Sequence, residues 1–84
     1  MIMDIDIFTL AERVISAAKD KKLTIATAES CTGGGIGQAL TAVSGSSSVF
    51  VGGAIVSSNK AKAHVLSVPK DILIEHGAVS EPVA

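Results

Sequence analysis

Two clusters in this sequence combine residue types that do chemistry. The first is Thr27-Ala28-Glu29-Ser30-Cys31-Thr32-Gly33-Gly34, which places a carboxylate, hydroxyls, a thiol and two glycines directly after Leu23-Thr24-Ile25-Ala26. If a strand ends there and Gly33 opens a helix, the amides of Thr32 to Gly35 point into the turn. They then form a partial positive site for a phosphate or carboxylate, with glycines allowing close approach. The same layout also suits a plain strand-to-helix turn without a ligand, and the loop alone does not separate the two. It is not a P-loop, because no Gly-Lys-Ser/Thr follows, and Gly34-Gly35-Ile36-Gly37 is not a dinucleotide fingerprint. Cys31 could be a nucleophile activated by the nearby helix N-terminus. A catalytic thiol needs a base, however, and neither His64 nor His76 has a local motif tying it to Cys31. A small buried residue is the plainer reading of a free cysteine.

The second cluster is Ser46-Ser47-Ser48 with Lys62. A serine hydroxyl needs a base, and a lysine partly withdrawn from water can serve as one. The serines sit at a turn before an expected strand, and Lys62 lies in the first turns of the helix after it. A chain that climbs the strand and returns along the helix can bring the two together. A polar turn and a solvated lysine would show the same spacing.

The elements that position these groups follow from periodicity. Leu10, Ala11, Val14, Ile15, Ala17 and Ala18 recur at helical spacing, with Asp6 or Thr9 as cap and Thr9–Glu12 at capping-box distance. Asp20, Lys21 and Lys22 end that helix, with positive charge at its negative pole. A strand over 23–28, a helix over 33–43 and a polar turn over 44–48 come next. A second strand over 49–56 contains Gly52 and Gly53, which suggest a bulge or a close backbone approach. Ser58 or Asn59 caps a helix to about Leu66, and Pro69 opens another that ends at Gly77. Ser80-Glu81-Pro82 announces one more helix just before the last residues, and two strands rarely make an independent sheet. The sequence therefore reads as cut from a longer domain.

Composition narrows the classes. The chain has 84 residues, 48% hydrophobic but with Phe8 and Phe50 as its only aromatics, and a net charge of −1. It offers neither a stacking platform nor a basic footprint, which argues against nucleic acid as a partner. The single cysteine excludes an internal disulfide and fits a reducing compartment. Asp4 and Asp6 stand where a signal peptide would be basic, and no apolar run has bilayer-crossing length. A cytoplasmic location without membrane association is the expectation.

The order and spacing of Thr27–Gly34, Gly45-Ser46-Ser47 before Phe50, Gly53, Ser58-Asn59-x-Ala61-Lys62, Val68-Pro69 and Gly77-Ala78-Val79-Ser80-Glu81 resemble the C-terminal domain of the CinA family. These are nicotinamide-nucleotide amidohydrolases linked by name to competence and DNA damage. The resemblance runs from about Leu10 to Ala84. It implies an α/β fold, a three-layer α/β/α domain with a mixed sheet, of which 1–84 would be the N-terminal part of a single domain. The implied activity is hydrolysis of the carboxamide of nicotinamide mononucleotide to nicotinic acid mononucleotide and ammonia, with no metal or cofactor. The resemblance puts the nucleophile at Ser47 and the assisting base at Lys62. Glu29, Ser30, Cys31, Thr32, Gly33, Gly34, Ser46 and Asn59 would line the substrate.

Two departures stand out. The family has Tyr where this chain has Ser57, too short for the same reach. The family domain also continues past Ser-Glu with further helices, a Thr-Gly-Ile-Ala-Gly-Pro loop and an arginine that completes the site. The expectation is thus an impaired hydrolase, or alternatively a non-catalytic remnant that binds a nucleotide or a partner. Too few strands to cover the apolar helices further imply a chain that self-associates, most simply as a homo-oligomer.

Overall fold

The structure, a computed structural model, describes residues 4–84. The elements run α1 (Ile5–Lys21), β1 (Ile25–Glu29), α2 (Gly35–Thr41), a 3-10 turn at Ser46–Ser48, β2 (Phe50–Ile55), α3 (Asn59–Leu66) and α4 (Lys70–His76). The expected α/β class is present, with four helices and a two-stranded sheet.

The cap of α1 is Asp4, neither of the residues expected. Its carboxylate accepts from Asp6 N at 2.8 Å and Ile7 N at 3.3 Å. Thr9 lies inside the helix and donates back to the Ile5 carbonyl at 2.9 Å, the ordinary bond of a mid-helix threonine. At the other end Lys22 turns left-handed (φ 57°), and Leu23 N reaches back to the Ala18 carbonyl at 2.9 Å. That bond commits Leu23 to the cap, so β1 begins at Ile25 and not at Leu23.

The core is small and aliphatic. Ala11, Ile15 and Ala18 of α1 pack on Ala39 and Leu40 of α2 and on Val49, with Ile25, Val43 and Phe50 closing the edges. Alanines on the facing sides let the two helices approach closely, which compensates for the lack of large side chains.

β1 and β2 pair in parallel. The helix between them returns the chain to its starting edge, and that crossover forces the parallel sense. The mixed sheet implied by resemblance is therefore not seen among the described residues. Ile25 pairs with Phe50, but Ala26 pairs with Gly52, so Val51 is skipped. This is the anticipated bulge, and Gly52 (φ 154°) absorbs it. Gly53 is the anticipated close approach: a Cβ there would collide with Thr27 Oγ1 and lie 3.2 Å from the Thr27 carbonyl oxygen. Alternate residues of β1 then face different neighbours. Thr27 and Glu29 face α2, and Ala28 joins Val56 on the side toward α3.

Past α3, Pro69 caps α4 and Gly77 (φ 78°) ends it, its amide bonded to Leu73 O at 3.0 Å. Ser80–Val83 form a turn in place of the helix expected there, with Ala84 N bonded to the Ser80 and Glu81 carbonyls at 3.2 and 3.1 Å.

Candidate functional site

The loop after β1 is built around Glu29. This carboxylate is 4% exposed yet carries no cationic partner among the described residues. It is satisfied by donors from its own loop: Oε1 accepts from Ile36 N at 2.6 Å and Thr32 Oγ1 at 3.0 Å, and Oε2 accepts from Gly37 N at 3.0 Å. Thr27 Oγ1 adds a longer contact to Oε2 at 3.5 Å. Burial pushes the acid up, but the Gly37 and Ile36 amides and the two hydroxyls favour the charged form, and the net effect holds it below the ordinary carboxylate range.

These bonds narrow the part of the loop that could meet an anion. The amides of Ile36 and Gly37, at the opening of α2, are occupied by Glu29 itself. Gly35 N is also taken, by the Thr32 carbonyl at 3.1 Å. The glycines have a structural duty here. Gly33 (φ 65°) and Gly34 (φ 86°) are left-handed, which delays α2 to Gly35, and a Cβ on Gly34 would collide with Ile55 Cδ1. Gly37 lets Glu29 come close, for its Cβ would sit 3.2 Å from Oε2.

On the other side of β1 lies a cavity of about 610 Å³. Ala28, Glu29, Ser30, Cys31, Val56, Lys62, Leu66 and Val68 form one wall, and residues of the segment after α4, including Ala78, Ser80 and Val83, form the other. Lys62 is 8% exposed, and its ammonium has no hydrogen-bond or ion-pair partner among the described residues. Ser58 holds it in place by capping α3, accepting from Ala61 N at 3.0 Å. Ser30 is half-buried, and Cys31 is exposed with φ 68°, its Sγ 3.7 Å from Ser30 Oγ. The reading of Cys31 as a small buried residue is thus overturned.

The structure gathers Glu29, Ser30, Cys31 and Lys62 around this cavity and leaves other expected residues elsewhere. Ser47 is exposed on the 3-10 turn that feeds the start of β2. β2 climbs roughly 20 Å from there, at about 3.3 Å per residue. Lys62 lies one turn into α3 and has come back only about 5 Å. Ser47 is not in the lining of the cavity that Lys62 borders. The cation beside the serine turn is Lys19, whose Nζ lies 2.9 Å from the place a Cβ on Gly45 would occupy. Ser46 is buried in that turn, with Val49 N bonded to its carbonyl at 3.0 Å. Asn59 lies in the shallow groove between α3 and α4 with Lys60 and His64. Thr32 donates to Glu29 and borders the groove between α1 and α2. Ser57 is exposed immediately after Val56, outside the cavity lining.

Sequence reasoning missed Ser80 and the apolar wall at Leu66, Val68 and Val83. Val68 and Ser80 fall in motifs that carry the family resemblance, but nothing in their residue types marks them as cavity lining. It missed Lys19 because periodicity assigns that residue to the outer face of α1.

The match to protein-family models covers residues 7–84 with the CinA C-terminal domain. The chain belongs to that family. A CinA-like protein of Synechococcus sp. is 57% identical over 75 residues, covering 89% of this chain and 18% of the relative. A CinA-like protein of Syntrophus aciditrophicus is 54% identical over 76 residues. Among solved structures, the competence/damage inducible protein from Agrobacterium tumefaciens is 42% identical, with a TM-score of 0.95 over 100% of this chain and 51% of its own. A CinA superfamily protein from Escherichia coli is 34% identical, with a TM-score of 0.91 over 100% of this chain and 49% of its own. The chain thus spans about half the length of those solved CinA proteins and under a fifth of the curated relatives. No described helix is long and apolar enough to cross a membrane.

Proposed function

We propose that this chain carries the lysine-bearing part of an amide-hydrolysing site. Its substrate is the carboxamide of nicotinamide mononucleotide, released as nicotinic acid mononucleotide and ammonia, a step that returns a by-product of NAD consumption to NAD synthesis. The observation that supports this reading is Lys62, a residue 8% exposed and without a partner among the described residues, lining a cavity that Ser30 also lines. The cavity has the size of a small-molecule site. A serine oxygen adds to the carboxamide carbon, the lysine amine takes its proton and returns it to the departing ammonia, and water then hydrolyses the ester.

Two hydroxyls compete for the nucleophile. Resemblance favours Ser47, and position in this chain favours Ser30. If Ser47 acts, the Lys62 it meets belongs to a second copy of the chain, which fits the expected homo-oligomer. The 84 residues form the N-terminal part of one three-layer domain in this reading, acting in the cytoplasm without nucleic acid or membrane partners.

The test is ammonia release from nicotinamide mononucleotide. The chain as it stands should release none above buffer, because Ser57 replaces a tyrosine and the distal arginine is missing. A chain extended to the length of the solved relatives should turn over, faster with Ser57→Tyr. There, Lys62→Ala should lower the rate about 10²–10⁴-fold, the usual worth of one proton-handling group. Unchanged turnover in Lys62→Ala overturns the reading. If the 84-residue chain itself is active and Ser47→Ala abolishes that activity, the site is self-sufficient.

A second reading, binding without turnover, draws on Glu29 taking the Ile36 and Gly37 amides, which removes those two donors from any oxyanion. Calorimetric binding of nicotinamide mononucleotide by the extended chain with no ammonia produced would favour it.

A further inference from the structure

We infer that Cys31 is an attachment site for small acidic disulfides, with Lys62 as the group that selects them. Cys31 is exposed, so an incoming disulfide can reach its sulfur. It lines the same cavity as Lys62, a residue 8% exposed whose ammonium meets solvent and has no anionic or hydrogen-bonding partner among the described residues. A carboxylate on the incoming molecule supplies that partner. The walls on either side, Ala28, Val56 and Leu66, bring no charge of their own. The acid in the lining, Glu29, is committed to the Ile36 and Gly37 amides and does not compete for the ammonium. Glutathione disulfide, with carboxylates near a central sulfur pair, has the required chemistry.

The exchange is balanced. The Cys31 thiolate attacks one sulfur, the disulfide bond breaks, and its electron pair leaves on the other sulfur. That thiolate takes up the proton Cys31 gave up, so one disulfide enters, one thiol departs and no further oxidant is needed. The chain has a single cysteine, so no internal thiol can displace the adduct. It stays until an external thiol removes it, and while present it fills the space in front of Lys62. The inference stands on the cavity alone and does not depend on amide hydrolysis.

The test follows mixed-disulfide formation on the 84-residue chain by intact mass, using glutathione disulfide and the uncharged 2-hydroxyethyl disulfide. Each rate is divided by that of the urea-unfolded chain, which removes differences in intrinsic reactivity. The folded chain should prefer the acidic reagent by about fivefold, the effect of one unit charge a few ångström away in water-like surroundings. Lys62→Gln should bring the ratio to about one, and Lys62→Arg should keep it. Equal normalised rates for the two reagents overturn the inference, as does a preference that survives Lys62→Gln. Should Lys62→Gln fail to fold, raised salt on the native chain serves instead: the preference must shrink, and one unaffected by salt refutes the role of charge.

Discussion

Replacing Gly53 by alanine tests how closely β2 must approach β1 for Glu29 to reach its donors. The new Cβ would overlap Thr27 Oγ1, lie 3.2 Å from the Thr27 carbonyl oxygen and 3.6 Å from its Cβ. Forcing a methyl into a packed site costs about 1–3 kcal/mol. Removing a glycine from the unfolded chain returns about 0.4–1 kcal/mol. The net expectation is a loss of about 1–2 kcal/mol. For a domain of this size each kcal/mol lowers Tm by about 4–8 °C. Thr27→Ala removes the overlapping oxygen while leaving only the milder carbonyl contact, so Gly53→Ala should cost less than about 1 kcal/mol in that background. The two substitutions should therefore couple by about 1 kcal/mol in a double-mutant cycle. Urea unfolding followed by circular dichroism, at fixed protein concentration, measures all four chains. A neutral Gly53→Ala, or an equal cost in both backgrounds, would show that the interstrand contact is looser than described.

Three further outcomes are expected. Ser58→Ala should cost about 1 kcal/mol through loss of the α3 cap, with Ser58→Asp restoring most of it, as read by the same unfolding curves. Because Glu29 is held below the ordinary carboxylate range when folded, its contribution is complete above that range and is lost as pH falls through the folded value. Exchange of the Ile36 and Gly37 amide protons, corrected for intrinsic pH dependence, should quicken in that acid window, and Glu29→Gln should flatten the response. Finally, the exposed stripe Ile7, Leu10 and Val14 with Ile36 beside it should make the chain self-associate, and a monomeric sedimentation profile with a cooperative thermal transition refutes this.

Helical periodicity and cap chemistry made α1, α3 and α4 legible in the sequence, and the paired glycines suggested a bulge or a close approach where the structure has one of each. The ends of elements were less legible where competing local bonds decided them. Leu23 was drawn into a helix cap, and two left-handed glycines shortened α2. Glu29 marks a deeper limit: its amide donors lie seven and eight residues downstream, and a loop filled by its own acid has the composition of a loop waiting for an anion. The Ser47–Lys62 pairing rested on an expected strand-and-helix return, and sequence spacing did not show that the cavity beside Lys62 is lined by Ser30 rather than Ser47. Lys62 itself was legible as a chemical group, and its isolation inside a cavity became visible only in three dimensions.

Glu29 also determines how this loop meets whatever enters the cavity. A loop that had to order itself around an incoming molecule would show slow, saturating association and an entropic penalty for each residue fixed. Here the internal carboxylate ties the Thr32 hydroxyl to the Ile36 and Gly37 amides through its own hydrogen bonds. Encounter then needs no rearrangement of this segment, and association should rise linearly with ligand concentration. The loop behaves as a rigid die, and any adaptability must come from the facing wall after α4.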